Sequence, residues 1–160
     1  MTIKTGDRIP EVSVNVVRNG KTETVSSSSL FKGRKVVLFA VPGAFTPTCS
    51  LKHLPSYIDS AEAFAKRGVD LLCLAVNDAF VMQAWAASEK APASIAMLAD
   101  GNGAFTKALG LELDASGFGM GLRAQRFALY ADDGVIKVLH IEAPGEFKVS
   151  GADAMLAELT

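Results

Sequence analysis

The chain has 160 residues, 49% hydrophobic and 21% charged, which fits one globular domain over residues 1–160 and excludes a disordered or fibrous chain. Sixteen Lys and Arg against seventeen Asp and Glu leave a net charge of −1, and the cations are scattered, so no partnership with nucleic acid or an anionic membrane is expected. No apolar run approaches the roughly 20 residues of a membrane span, and the opening residues hold no apolar leader core, so a soluble cytoplasmic protein is the expectation.

Residues 12–17 read as a first strand, and Arg18-Asn19-Gly20-Lys21 as a hairpin turn, because Asn-Gly tolerates the positive φ such turns need. A second short strand is expected over 22–25. Residues 26–29 form a polar break in which Ser29 is placed to cap a short turn of helix ending near Gly33. The continuous apolar run 35–41 is the pattern of a strand buried on both faces and predicts a central strand. It breaks at Pro42-Gly43 and delivers Cys49 where a helix should begin.

From Pro47 onward, Leu51, Leu54, Ile58, Ala61, Phe64 and Ala65 recur at three- and four-residue spacing, which predicts a helix closing at Lys66-Arg67-Gly68. Pro55 inside it removes a backbone donor and crowds the preceding turn, so a kink is expected near 51–55. Residues 69–76 read as the next buried strand, Asn77 or Asp78 as the cap of a helix through about Ser88, and 94–99 as a third strand. A helix over 103–109 follows. Three glycines within 117–121 mark a loop, after which 126–131 and 135–141 flank Asp132-Asp133-Gly134 as a β-hairpin, and 153–159 reads as a helix. Strands alternating with helices and ending in a hairpin imply an α/β fold: a central mixed sheet, helices on both faces and an N-terminal β-hairpin.

A thiol at a helix start faces unpaired N–H groups and the positive end of the helix dipole, which favour its thiolate. Cys49 is therefore a candidate nucleophile, although a lone cysteine at such a junction is also a common small core residue. Two cysteines are too few for a disulfide framework, which suits a reducing compartment, and Cys73, inside the apolar run 69–76, reads as a buried inert thiol. His53 lies four residues after Cys49 and would share its face on a regular helix, but the kink from Pro55 spoils a cysteine–histidine pair. His140 reads as a half-exposed sheet residue. Neither the histidines and cysteines nor the Gly117-x-Gly119-x-Gly121 stretch has the spacing or context of a metal or nucleotide site. Phe80, Met82 and Trp85 are expected in core or interface packing.

Pro42-x-x-x-Thr46-x-x-Cys49 resembles the P-x-x-x-[T/S]-x-x-C signature of peroxiredoxins, and Pro-Gly-Ala-Phe-Thr-Pro-Thr-Cys-Ser over 42–50 is similar to their type 5 (plant type II) branch. The similarity continues through Lys52-His53-Leu54-Pro55, residues 73–81, Ala99-Asp100-Gly101 and Arg126-Phe127-Ala128, nearly the whole chain. The resemblance implies a thioredoxin-like fold and peroxidase activity toward hydrogen peroxide and alkyl hydroperoxides, with no cofactor and no metal. It implies Cys49 as nucleophile, Arg126 as the guanidinium beside it, Thr46 as the hydroxyl that orients the peroxide, and Pro42 as a shield without an N–H. Arg123 assists with less support. From the residues alone Arg126 is equally a solvated strand-end charge or a partner of Glu112 or Asp114. The resemblance also suggests a homodimer formed beside the active-site loops, with Phe45 an interface candidate.

Some type 5 members resolve the oxidised sulfur with a second cysteine near the C-terminus, but residues 146–152 contain none. Cys73 would need its Cα within roughly 7 Å of that of Cys49 and local unfolding of the intervening helix. The expectation is a one-cysteine cycle restored by glutathione with glutaredoxin, or by thioredoxin. A dithiol oxidoreductase is excluded, because no cysteine stands three positions from Cys49. A redox-sensing or holdase-like protein that relays Cys49 oxidation to partners is the alternative from another class.

Overall fold

The computed structural model describes residues 2–159. Strands β1 (Ser13–Arg18) and β2 (Lys21–Ser26) form the expected hairpin, with Arg18 opposite Lys21 and the turn residues Asn19 and Gly20 at φ of 53° and 73°. Positive φ at both central positions matches the right-handed twist of the strands. Helix α1 (Ser27–Phe31) starts earlier than expected: Ser26 is its cap position and Ser29 lies inside it. The start is pinned by buried Ser27, whose hydroxyl donates to the Pro10 carbonyl (2.6 Å) and accepts the Val12 N–H (2.9 Å).

The apolar run becomes β3 (Lys35–Ala40), flanked in parallel by β4 (Val69–Ala75) and antiparallel by β8 (Phe127–Asp132). With β5 (Ile95–Ala99) and β9 (Val135–Ile141) the sheet runs β2-β1-β5-β4-β3-β8-β9, mixed as expected. Alternate β3 side chains feed two cores. Val37 and Phe39 pack with α2 (Leu54–Lys66), α3 (Ala79–Ser88) and α5 (Ala152–Glu158) through Tyr57, Trp85 and Met155. Val36 and Leu38 pack on the other face with Phe31 of α1 and Phe105 of α4 (Ala104–Leu109). Asp78 caps α3 by accepting the Val81 N–H, while Asn77 turns elsewhere. A second sheet of β6 (Glu112–Asp114) and β7 (Leu122–Ala124) brackets the glycine loop; three-residue strands are too short to leave a period in the sequence.

The disruption expected near 51–55 is present, but as a π turn over Cys49–His53. The chain turns helical at Pro47, and the Leu54 N–H reaches the Cys49 carbonyl, five residues back. Pro55 follows as the second residue of α2, and because it has no N–H it cannot bond a carbonyl of the turn before it, which is where the regular pattern is interrupted. One extra residue in the turn rotates every side chain before it. Leu51, apolar-face by spacing, is 75% exposed, and His53 is fully buried.

Candidate active site

The strand-to-helix connection is held at each step. Val41 extends the sheet by donating to the Leu74 carbonyl (3.0 Å), and half-buried Pro42 then ends the ladder because it has no N–H. Ala44 donates its N–H to Asn77 Oδ1 (2.9 Å). Phe45 takes φ of 66°, a conformation a bulky side chain adopts only when its surroundings impose it. The Thr46 hydroxyl donates to the Gly43 carbonyl (2.7 Å), so its oxygen is left as an acceptor. Gly43 fits closely here: a Cβ would come within 3.0 Å of Arg123 Nη1 and 3.2 Å of the Thr46 methyl, so both would have to give way by a few tenths of an ångström. Arg123 itself bonds the carbonyls of Met120 (2.9 Å) and Val76 (3.5 Å), tying the glycine loop to the end of β4.

Cys49 is fully buried in the first turns of the helix. Arg126, at the foot of β8, donates from Nη2 to Cys49 Sγ (3.1 Å) and from Nη1 to His53 Nδ1 (2.8 Å). Of the readings open for Arg126, the contact with sulfur is the one found; Asp114 instead accepts the Ser116 N–H. The other imidazole nitrogen, His53 Nε2, meets the Ser150 carbonyl (3.0 Å), which also accepts the Tyr57 hydroxyl (2.7 Å). Burial, then the neighbouring guanidinium, push the His53 pKa down to about 3. Phe147 lies against both groups, its ring 4.9 Å from the imidazole and 6.0 Å from the guanidinium carbon.

Behind this layer, Glu142 gathers the N–H groups of Lys148, Val149 and Ser150 and the Ser150 hydroxyl at 2.7–2.9 Å. Burial pushes its carboxyl up, and the hydrogen bonds more than reverse that, leaving it below the usual value. The sequence did not single out Phe147, Ser150 or Glu142; the expectation that His53 would not pair with the thiol agrees with its bonds, but its partnership with Arg126 was not foreseen. These partners sit 73 to 97 positions apart, so no local spacing could have joined them. Cys73 is wholly enclosed in β4; burial, then the nearby Cys49 charge, push its thiol well up. His140 is half-buried on β9, with Nδ1 at the Val149 carbonyl and Nε2 at Glu158. Among the described residues no cluster of three His, Cys, Asp or Glu could hold a metal ion.

The Redoxin family model matches residues 4–156, and the chain belongs to that family. Within it the relatives are peroxiredoxins. Peroxiredoxin-2E-2, chloroplastic, of Oryza sativa subsp. japonica is 49% identical, covering 99% of this chain and 73% of that protein. Peroxiredoxin-2E, chloroplastic, of Arabidopsis thaliana is 45% identical, covering 99% and 70%. The crystal structure of reduced Prx3 in complex with hydrogen peroxide from Vibrio vulnificus matches with a TM-score of 0.94 at 48% identity, covering 99% of this chain and 100% of that one. The chain is thus a thiol peroxidase on a thioredoxin-like fold, acting on peroxides with thiol reductants.

The cytoplasmic expectation is corrected by the same relatives, two of which are chloroplastic. That expectation rested on the lack of an apolar leader, but organelle addresses are amphipathic rather than apolar, so the lack carries no weight. Among the described residues no helix is long and apolar enough to cross a membrane.

Proposed function

We propose that Cys49 is the peroxidatic nucleophile, a reading carried by the 3.1 Å contact between its sulfur and the Arg126 guanidinium. A cation donating to sulfur favours its negative form, and the first-turn N–H groups of the helix act in the same direction. The sulfur lone pair attacks one peroxide oxygen as the O–O bond breaks, and the departing alkoxide or hydroxide takes up a proton. Sulfur is oxidised by two electrons to a sulfenic acid and the peroxide is reduced to alcohol or water. Arg126 spreads the charge that develops across both oxygens. Thr46, its own hydrogen committed to Gly43, accepts the peroxide O–H and fixes its direction. Pro42 walls the site without adding a competing donor. Cys49→Ser should abolish hydroperoxide consumption by a stably folded protein, followed with hydrogen peroxide and an alkyl hydroperoxide; retained turnover would remove Cys49 from the role.

The sulfenic acid is resolved in a one-cysteine cycle. Glutathione displaces water to form a mixed disulfide, which glutaredoxin reduces, or thioredoxin reduces the sulfur directly. What supports this is the enclosure of Cys73 and the absence of cysteine from residues 146–152. Steady-state turnover with each reductant supplied separately decides between them. Cys73→Ser should turn over at the wild-type rate, and loss of turnover with intact single-turnover oxidation would make Cys73 the resolving thiol.

The working unit is a homodimer joined beside the site. Phe45, Phe80 and Phe118 are 55%, 84% and 85% exposed. They rise from segments that meet around Gly43 and Ala44: the loop itself, the start of α3 through the Ala44–Asn77 bond, and the glycine loop through Arg123 and Met120.

A further inference from the structure

We infer that His53, in its neutral Nε2–H form, is the positioning residue that aims Arg126 at Cys49. This rests on the reading of Cys49 as the reacting sulfur.

The hydrogen-bond inventory leaves one arrangement. The Ser150 carbonyl can only accept, so His53 Nε2 must carry the proton that bonds it. Arg126 Nη1 can only donate, so His53 Nδ1 must be the bare nitrogen that receives it. Protonating Nδ1 would set two donors 2.8 Å apart, and burial together with the guanidinium opposes that charge. The charged and titratable groups around the ring are Arg126 on one side, Glu142 behind Ser150, and Tyr57 on the shared carbonyl. None is placed to take a proton from a substrate through the imidazole. His53 is therefore no catalytic base.

What it supplies is direction. A guanidinium is a planar fork, and fixing one nitrogen on His53 fixes where the other points. The imidazole is itself fixed on every side: Ser150 at its far nitrogen, Phe39 and Tyr57 with ring centroids at 5.2 and 5.7 Å, and Phe147 at 4.9 Å. The π turn is what brings His53 inward while keeping Cys49 at the helix start. Without it the side chain four residues on would share the sulfur's face and compete with Arg126 for the thiol.

The test compares His53→Leu, which removes the acceptor, with His53→Asn, whose amide oxygen can occupy the Nδ1 position. The rate of Cys49 oxidation by hydrogen peroxide is read by stopped flow, and the pH profile of Cys49 alkylation by iodoacetamide is read alongside. His53→Leu should oxidise on the order of 10- to 100-fold more slowly and shift the alkylation midpoint upward, while His53→Asn should recover most of both. A Leu variant with wild-type rate and profile, or an Asn variant as impaired as Leu, overturns the inference. Should the Leu variant fail to fold, ring 15N shifts of His53 in the native protein decide: a bare Nδ1 and protonated Nε2 support the assignment, and a protonated Nδ1 overturns it. Failure of the underlying reading has a different signature, since Cys49→Ser would then keep its activity whatever His53 does.

Discussion

Arg126 meets sulfur and imidazole through separate nitrogens, and that division sets what a substitution there can retain. Lysine keeps the charge but offers one small ammonium head in place of a fork, so it cannot hold both partners at the same geometry. Arg126→Lys should slow Cys49 oxidation on the order of 100-fold in a pre-steady-state assay, with the melting temperature little changed; oxidation at the wild-type rate would show that charge alone suffices. Thr46 divides in a related way, since its hydrogen is spent on Gly43 and its oxygen is left as an acceptor. Thr46→Ser should keep activity and Thr46→Val lose it on the order of 100-fold, read as second-order oxidation rates. At this scale the candidate site was legible in the sequence where it is contiguous: Pro42, Thr46 and Cys49 sit within eight positions on one strand-to-helix connection. Arg126 came only through resemblance, because the turn that delivers it is 77 positions away.

The elements carry the site through shape, and here a pH dependence follows. His53 is neutral when folded, with its pKa down near 3 against 6.5 for the free side chain. Between those values the unfolded chain binds the extra proton and the folded one does not, so stability is full above pH 6.5 and falls as pH drops toward 3. The loss reaches about 4 kcal/mol between pH 7 and pH 3. Chemical denaturation should show wild type losing stability from pH 6.5 to 5 while His53→Asn stays flat; parallel curves would mean the imidazole is protonated in the fold. Glu142 adds to the same trend at lower pH: its folded value lies below the usual 4.5, so its contribution is present above that value and lost as pH falls through the lowered one. The buried strand β3 was legible as an unbroken apolar run, and both hairpins as Asn-Gly and Asp-Gly turns. The π turn was not, because periodicity assumes one residue count per turn and Pro55 marks only that the regular helix begins anew.

Among the described residues, the three exposed aromatic side chains lie where the segments around the candidate site converge. Phe45, Phe80 and Phe118, doubled by a two-fold axis, would remove about 900 Å² of aromatic surface from water, most of the roughly 1,200 Å² a stable interface needs. Isologous pairing is the economical arrangement, because one patch then serves both partners. Phe80 is the cleanest probe: it stands on the first turn of α3, touches no catalytic group, and at 84% exposure owes nothing to the core. Phe80→Asp places two carboxylates near the axis, where like charges in a desolvated contact repel. Sedimentation should then give the 16.8 kDa protomer where wild type gives twice that mass, at an unchanged circular dichroism spectrum. Because Phe45 shares the loop that ends in Cys49, separation should also slow Cys49 oxidation several-fold by loosening that loop. A wild-type protein that sediments as a protomer at micromolar concentration would leave the three phenylalanines without a partner copy and the site complete within one chain.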